Sequence, residues 1–481
     1  MHIMNNTITF PPVVTQIDMN LSDICNLTCY FCYTRGGHCQ PYNQAHIDKS
    51  FQWIFNQFAN ATPQQKERGL RITIYGGEPL VEWVHLKKII PAMKQEAINR
   101  GTRIGFSLVT NMTLLDAEKL DWLMANNVGI HPSIDGCAPA QDACRIFKDG
   151  TGSSSVVYEN ARRLLSRTKG RSCRMTVSPK TAQYLFASVV FLTKDIGFET
   201  VNAVMAGGID WSDADIAVIE EQVITLTDWW IEEMRQGNHY SLYHLRNMFM
   251  GIWGGQRRRG LCSAGVSHAS IDTQGNLWPC HRFANFQSKP EYLMGTLDTG
   301  ITNRTLYDAL RTYDLALANK ERCQNCPAVM GCHAFCIHEM MVAGNGMFEP
   351  LPHYCKIWPI YMKQALRAHA ILTAEKNQLY NKMYNPQMQP DNRQRQQRPQ
   401  QSQRQEQVRM PPNGVPRPTK PMPPPSRLIR ESDDKPINTV PILQKACQCG
   451  GQCVNKPVVN APIIRNKPQM GAPSVDSSRG V

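Results

Sequence analysis

The stretch Cys25-Asn26-Leu27-Thr28-Cys29-Tyr30-Phe31-Cys32 directly follows the apolar run Thr15-Gln16-Ile17-Asp18-Met19, and its reading decides the rest. Thr15–Met19 is short, rich in β-prone residues and followed by polar ones, so it predicts a strand. Three thiols within eight residues at its C-terminal end are soft ligands, suited to iron–sulfur or zinc chemistry. A structural zinc site asks for a fourth ligand, which Cys39 or His38 would supply. A cluster held by three cysteines instead keeps one iron open to an outside ligand. Active sites of parallel βα folds gather at the C-terminal ends of strands, and this loop falls at such an end.

Outward from that loop, the strand signal returns at Arg71–Tyr75, Ile104–Val109, Val128–Ile134, Cys173–Val177 and Val201–Met205. Between these runs, helix-like spacing appears at Lys49–Phe58, Leu80–Asn99, Asp116–Asn126, Val156–Arg167 and Thr181–Ile196. Six βα units in series predict an α/β fold with a parallel sheet and helices outside, either an open doubly wound sheet or a barrel. No Gly-x-Gly-x-x-Gly follows the first strand, which argues against a dinucleotide-binding fold. After residue 235 the pattern changes to helix, short hairpin and cysteine-rich loops, ending in a helical segment near Lys356–Tyr384.

Composition sets the outer bounds. The chain has 481 residues, 17 cysteines, 32 prolines and a net charge of +13. No apolar run reaches the ~20 residues needed to cross a bilayer, and the N-terminus MHIMNNTITFPP lacks the features of an export signal. A cytoplasmic location is therefore expected, where thiols stay reduced and serve as metal or cluster ligands rather than disulfides. The last 96 residues, Pro386–Val481, hold 15 Lys+Arg against 6 Asp+Glu, 17 of the prolines and no Phe, Trp or Tyr. Such a segment cannot bury enough apolar surface to fold and reads as a disordered, solvated tail. Its basic residues form no stripe interleaved with aromatics, so neither nucleic acid nor membrane is expected as a partner. The expected divisions are 1–235, 236–385 and 386–481.

The first cysteine cluster resembles that of the radical SAM superfamily, whose Cys-x3-Cys-x2-Cys follows the first strand of a partial (β/α)6 TIM-like barrel. The resemblance implies that Cys25, Cys29 and Cys32 hold a 4Fe–4S cluster. Its open iron would chelate S-adenosylmethionine, and one-electron reduction would release a 5′-deoxyadenosyl radical. Phe31 matches the aromatic that lies against the adenine. Gly76-Gly77-Glu78-Pro79, ending the second strand, matches the turn that contacts the methionine amino group; glycines let a backbone approach a ligand closely. Thr110-Asn111 ends the third strand like the family's Thr-Asn-Gly, with Met112 in place of the glycine. Ser133-Ile134-Asp135-Gly136 matches a motif near the ribose. Arg145 follows at the spacing of an arginine that pairs with the SAM carboxylate, the competing reading being a surface salt bridge.

A second array is equally specific in its spacing. Cys262 is followed by twelve residues, Gly275, four residues and Cys280; then come Cys323-x2-Cys326-x5-Cys332-x3-Cys336 and, eighteen residues on, Cys355. Alone, the paired knuckles suit a zinc ribbon. The whole resembles the SPASM extension of radical SAM enzymes, which holds auxiliary 4Fe–4S clusters, so the resemblance implies three clusters in all. It assigns Cys323, Cys326, Cys332 and Cys355 to one auxiliary cluster and Cys262, Cys280 and Cys336 to the other. Relatives with four protein ligands at the latter carry a further upstream cysteine, and Gly255–Leu261 offers none. An iron open to a substrate thiolate is the expectation. A hairpin is predicted from His268–Asp272 and Asn276–Pro279 around Thr273-Gln274-Gly275.

SPASM proteins mostly modify peptides or proteins. Anaerobic sulfatase maturases, which make formylglycine, carry aspartate where this chain has His281, in Pro279-Cys280-His281-Arg282-Phe283. The run looks more like maturases of ribosomal peptides, including those that forge thioethers. His281 would serve as a base or hydrogen-bond a cluster sulfur. The resemblance further implies a Cys-containing peptide or protein substrate and a one-electron donor such as flavodoxin or ferredoxin. Few residues precede the first strand, so a leader-binding protein would come from another chain. Cys447-Gln-Cys449-Gly-Gly-Gln-Cys453 resembles a Cys-rich peptide core on a tether, a metal-delivery site or inert thiols. Cys137, Cys144 and Cys173 read as core residues. A non-enzymatic zinc scaffold is the reading from a different class.

Overall fold

A computed structural model of the chain describes residues 10–33, 40–168, 172–254, 262–284, 289–318, 320–332, 336–343 and 349–388. His38, Cys39, the Gly255–Leu261 segment and the tail cysteines 447, 449 and 453 lie outside the described residues.

Eleven strands are described: β1 Gln16–Asn20, β2 Leu70–Tyr75, β3 Ile104–Thr110, β4 Val128–Pro132, β5 Ser172–Val177, β6 Thr200–Met205, β7 Ser241–Leu242, β8 His268–Ile271, β9 Asn276–Trp278, β10 Gly295–Thr296 and β11 Gly300–Ile301. One sheet runs β11-β10-β9-β8-β1-β2-β3-β4 and a second runs β5-β6-β7. β1 to β4 pair in parallel in sequence order, and β5 pairs with β6 likewise. Between the sheets, Ser133 bridges Arg174 in parallel, and the Ile134 amide donates to the Arg174 carbonyl at 2.9 Å.

Each strand alternates between two environments. Ile17 and Met19 of β1, Ile72 and Ile74 of β2, and Cys173, Met175 and Val177 of β5 are buried. The intervening residues Asp18, Thr73, Tyr75, Arg174 and Thr176 are polar, as expected of strands that separate an apolar layer from a wet one. The apolar side packs under helices Gln44–Ala59, Trp83–Asn99, Ala117–Ala125 and Ser154–Arg167. Local chemistry starts these helices: Asn43 and Asp116 cap through their side chains, and Ser212 with Asp215 forms a capping box for Asp213–Arg235.

The six parallel strands fall within a residue or two of their expected places, except that β4 stops at Pro132. Ser133 leaves the β3–β4 ladder there to reach Arg174, carrying the pairing across to β5. The expected helix Leu80–Asn99 opens as a tight turn, Pro79–Glu82, because the Glu78 side chain accepts from the Leu80 amide at 3.0 Å. Thr181–Ile196 is three pieces, a 3₁₀ turn, an α-helix Leu185–Val190 and a π turn Phe191–Ile196. The last helical segment begins at Pro352 and breaks at Lys376, whose φ is +52°.

The cysteine-rich segment joins the same sheet. β8 pairs in parallel with β1, Asp18 lying opposite Ser270, and β9 returns antiparallel as the predicted hairpin. Helix Pro352–Ala374 packs on Asp213–Arg235 and Tyr243–Gly254. Trp230, Phe249 and Tyr380 are fully buried where these helices meet, with the Trp230 and Phe249 rings 5.0 Å apart. Among the described residues no helix is long and apolar enough to cross a membrane.

Candidate active site

A cavity opens where β1 to β6 end. Tyr75, Thr110, Ser133, Thr176 and the Ala206-Gly207 pair line it, each from the C-terminal part of a strand or just beyond. Cys25, Cys29 and Cys32 face it from the loop after β1, with Phe31, Gly76, Gly77, Glu78, Asn111, Arg145 and His281. Of the expected cofactor contacts, only Pro79 lies behind the wall, buried at the start of its turn.

The cysteine loop is fastened from both sides. The Thr28 amide donates to the Ile146 carbonyl and the Tyr30 amide to the Cys144 carbonyl, both at 2.8 Å. On the other side the Gly77 and Glu78 amides donate to the carbonyls of Ser22 and Ile24 at 3.1 and 2.9 Å. A Cβ on Gly77 would stand 2.3 Å from the Ile24 carbonyl oxygen, and one on Gly76 2.5 Å from that of Ser22. Here the glycines let the turn approach the chain that leads into Cys25, a reason internal to the protein.

The Cys25 sulfur accepts from the Leu27 amide at 3.4 Å and from the Asn111 side-chain amide at 3.9 Å. Asn111 also donates to Asn26 Oδ1 at 3.0 Å. Glu78 is 1% exposed; its carboxylate accepts from Thr110 Oγ1 at 2.9 Å and from the Asn111 amide at 2.7 Å. Burial outweighs these bonds and pushes its pKa up to about 7. Met112, standing where the family motif has glycine, has φ +70°, a region that favours glycine.

Arg145 makes a buried pair, not a surface one. Its Nε and Nη2 donate to the two Asp135 oxygens at 2.8 and 3.0 Å, and its guanidinium lies 5.1 Å from the Phe31 ring centroid. Asp135 also accepts from the Thr176 amide at 2.9 Å, so the pair ties the Ser133–Gly136 turn to β5.

His281 enters from the β8–β9 hairpin. Its Nδ1 lies 2.7 Å from Asp18 Oδ2, and its ring stacks on Tyr75 with centroids 4.1 Å apart. His268 Nε2 approaches the same Asp18 oxygen at 2.8 Å. Burial would raise the Asp18 pKa, but the two imidazoles outweigh it and hold the carboxyl well below its usual range. Burial keeps the His281 pKa below its ordinary value. A carboxylate only accepts, so His281 Nδ1–H is the donor, which leaves the other nitrogen of the neutral ring as an acceptor. Arg282 pairs with Glu339, whose other oxygen accepts from the Tyr354 hydroxyl at 2.8 Å.

The second array falls into two groups. Cys280 interacts electrostatically with Cys336 and Cys262, and Cys262 with Cys336. Cys355 interacts with Cys323 and Cys326. No disulfide joins the described cysteines, and Cys144 and Cys173 are buried, as expected of core residues. Burial pushes Cys29 up to about 12 and Cys262 up to about 11, so binding of a metal group there would displace protons. Among the described residues no three His, Cys, Asp or Glu side chains converge as ligands of one ion would. Tetrahedral zinc needs thiolates ~3.8 Å apart, whereas a cluster spreads them over separate irons. Thiols without disulfides, with N–H donors aimed at sulfur as at Cys25, fit the latter group.

Residues 19–181 match the radical SAM superfamily, a span from β1 past β5 that contains the whole Cys25–Arg145 constellation. They form a radical SAM domain. Radical SAM enzymes bind S-adenosylmethionine and a 4Fe–4S cluster. The radical SAM cyclopropyl synthase TigE of Paramaledivibacter caminithermalis is 20% identical over 67% of this chain and 68% of its own length. The serine-type anaerobic sulfatase-maturating enzyme of Bacteroides thetaiotaomicron is 23% identical over 65% of this chain and 80% of its own. The solved radical SAM structure of native anSMEcpe with bound AdoMet shares the fold, with a TM-score of 0.60 over 75% of this chain and 99% of that one, at 17% identity.

Asp18, Arg174, Arg282 and Glu339 were not singled out from sequence. The signal was present for Asp18 and Arg174: each is a charge inside an otherwise apolar strand.

Proposed function

We propose that the chain is a radical SAM peptide or protein maturase, with a partial (β/α)6 barrel and a SPASM segment carrying two auxiliary 4Fe–4S clusters. One observation carries the reading. A single cavity is walled on one side by Cys25, Cys29 and Cys32 and on another by His281 and Arg282, which directly follow Cys280 of the second array. A substrate side chain held there lies between the first set of thiols and the two residues that follow Cys280. The similarity to TigE and to sulfatase maturases, and to anSMEcpe solved with AdoMet and the Cp18Cys peptide, supports a peptide as the occupant.

Cys25, Cys29 and Cys32 would hold the first cluster, with Asn111 and the Leu27 amide donating to the Cys25 sulfur. Cys262, Cys280 and Cys336 would hold one auxiliary cluster, and Cys323, Cys326, Cys332 and Cys355 the other. When bound, SAM and the first cluster supply hydrogen-atom abstraction after one-electron reduction. The chain's own residues do the rest. Phe31 and Ser133 form the wall for the nucleoside, and Arg145, held by Asp135, offers its remaining edge to a carboxylate. His281, fixed by Asp18 and Tyr75, accepts the proton that a substrate thiol releases as it becomes a ligand. The interior shields the reaction from bulk water. With no cysteine in Gly255–Leu261, the Cys280 cluster would leave an iron for that thiolate.

Anaerobic incubation with SAM, a reductant and Cys-containing peptides tests the reading. A maturase forms 5′-deoxyadenosine together with a modified peptide. Loss of two hydrogens per site reports a crosslink, and replacement of sulfur by a carbonyl oxygen reports formylglycine, the alternative that the sulfatase-maturating relatives favour. SAM cleavage with no change in any peptide contradicts it.

A further inference from the structure

The three arginines of the cavity differ in one respect. Arg145 is paired with Asp135 and Arg282 with Glu339. Arg174, on the inward side of β5, has no ion pair or side-chain hydrogen bond among the described residues, although it lines the same cavity. Arg174 is exposed, and it lines the cavity. Arg282, Tyr75, Tyr33 and Cys336 bear on it, and the nearest acting carboxylate, Asp135, spends both its oxygens on Arg145.

Two guanidinium groups facing one cavity, one of them with no ion pair, make a positive region that favours an anionic occupant. Asp18 and Glu339 are not available: the first is held by two histidines and the second by Arg282 and Tyr354. Arg174 and His281 line one cavity, so one molecule held there can meet both.

We propose that Arg174 is a specificity residue that binds a carboxylate of the peptide substrate, either an Asp or Glu side chain or the C-terminal carboxylate. The assignment rests on the maturase reading. A planar guanidinium with five donors suits two-point recognition of a carboxylate, and an amide analogue, uncharged and with one acceptor oxygen in place of two, satisfies it less well.

The test uses the anaerobically reconstituted full chain, saturated with SAM, and a pooled library of Cys-containing heptapeptides. Each sequence is present with Glu or Gln at a given place and with a free or amidated C-terminus. Peptides retained on the protein are read by mass spectrometry for wild type, Arg174→Gln and Arg174→Lys. The expected result is enrichment of the acidic partner by about tenfold or more, lost in Arg174→Gln and partly kept in Arg174→Lys. Glu-over-Gln enrichment identifies a side-chain source, and free-over-amidated enrichment identifies the terminus. Equal enrichment in wild type and Arg174→Gln, or no acidic preference, overturns the assignment. So does loss of SAM binding in Arg174→Gln, which would give the residue to the SAM carboxylate. If retained acidic peptides provoke no 5′-deoxyadenosine and stay unmodified, the carboxylate subsite stands and the maturase reading fails.

Discussion

Single side chains around the cavity are held by specific partners, and each makes a prediction. Asp135 neutralises the buried Arg145 through two bonds. Asp135→Ala strands that charge and is expected to cost roughly 3–5 kcal/mol, read by denaturant unfolding under anaerobic conditions. An Asp135→Leu/Arg145→Met pair, which removes both charges, should cost much less. Asp18 acts on His281 from outside the reacting atoms. Asp18→Asn is expected to lower peptide turnover by about 10–100-fold while SAM binding, measured by equilibrium dialysis, stays unchanged. Equal loss of both would give Asp18 a merely structural role. Met112 pits two effects against each other: glycine would relieve its φ of +70° but empty a fully buried side chain. The second is the larger, at roughly 2–5 kcal/mol against 1–3, so Met112→Gly should lower the melting temperature.

At the scale of elements, the join between β1 and β8 matters most. That parallel pairing sets Asp18 opposite Ser270 and, through the hairpin, brings His281 to the cavity. The amides of β1 and β8 are therefore expected to be protected together in hydrogen exchange. Fast exchange of β8 beside a protected β1 would contradict the shared ladder. The six parallel strands and most of their helices were legible because their apolar residues recur at strand or helix period. The β1–β8 pairing was not, because His268 lies 250 positions beyond its neighbour Asp18 and no periodicity reports a partner so distant. The three-part helix over Thr181–Ile196 was not legible either: its composition is continuous, and the change of pitch is a packing effect.

Over the whole molecule, spacing conveyed the identity of the thiols that the cavity gathers, and their environment came only from the fold. Cys25, Cys29 and Cys32 were visible in one line of sequence. That the Gly76–Glu78 turn braces their loop, and that Arg145 is engaged by Asp135, needed the backbone to bring distant segments together. The polar interior face, with Asp18, Tyr75, Arg174 and Thr176, distinguishes this sheet from a packed apolar core. It is built around a site, and ten of its cysteines are proposed to act as three groups. The central claim is that each group holds a four-iron cluster. The iron-to-protein ratio of the anaerobically reconstituted chain tests this most directly, compared with a Cys25/Cys29/Cys32→Ala triple variant. The account predicts about twelve irons in the first and about eight in the second. An iron-free protein containing zinc, or an unchanged ratio in the triple variant, would contradict it.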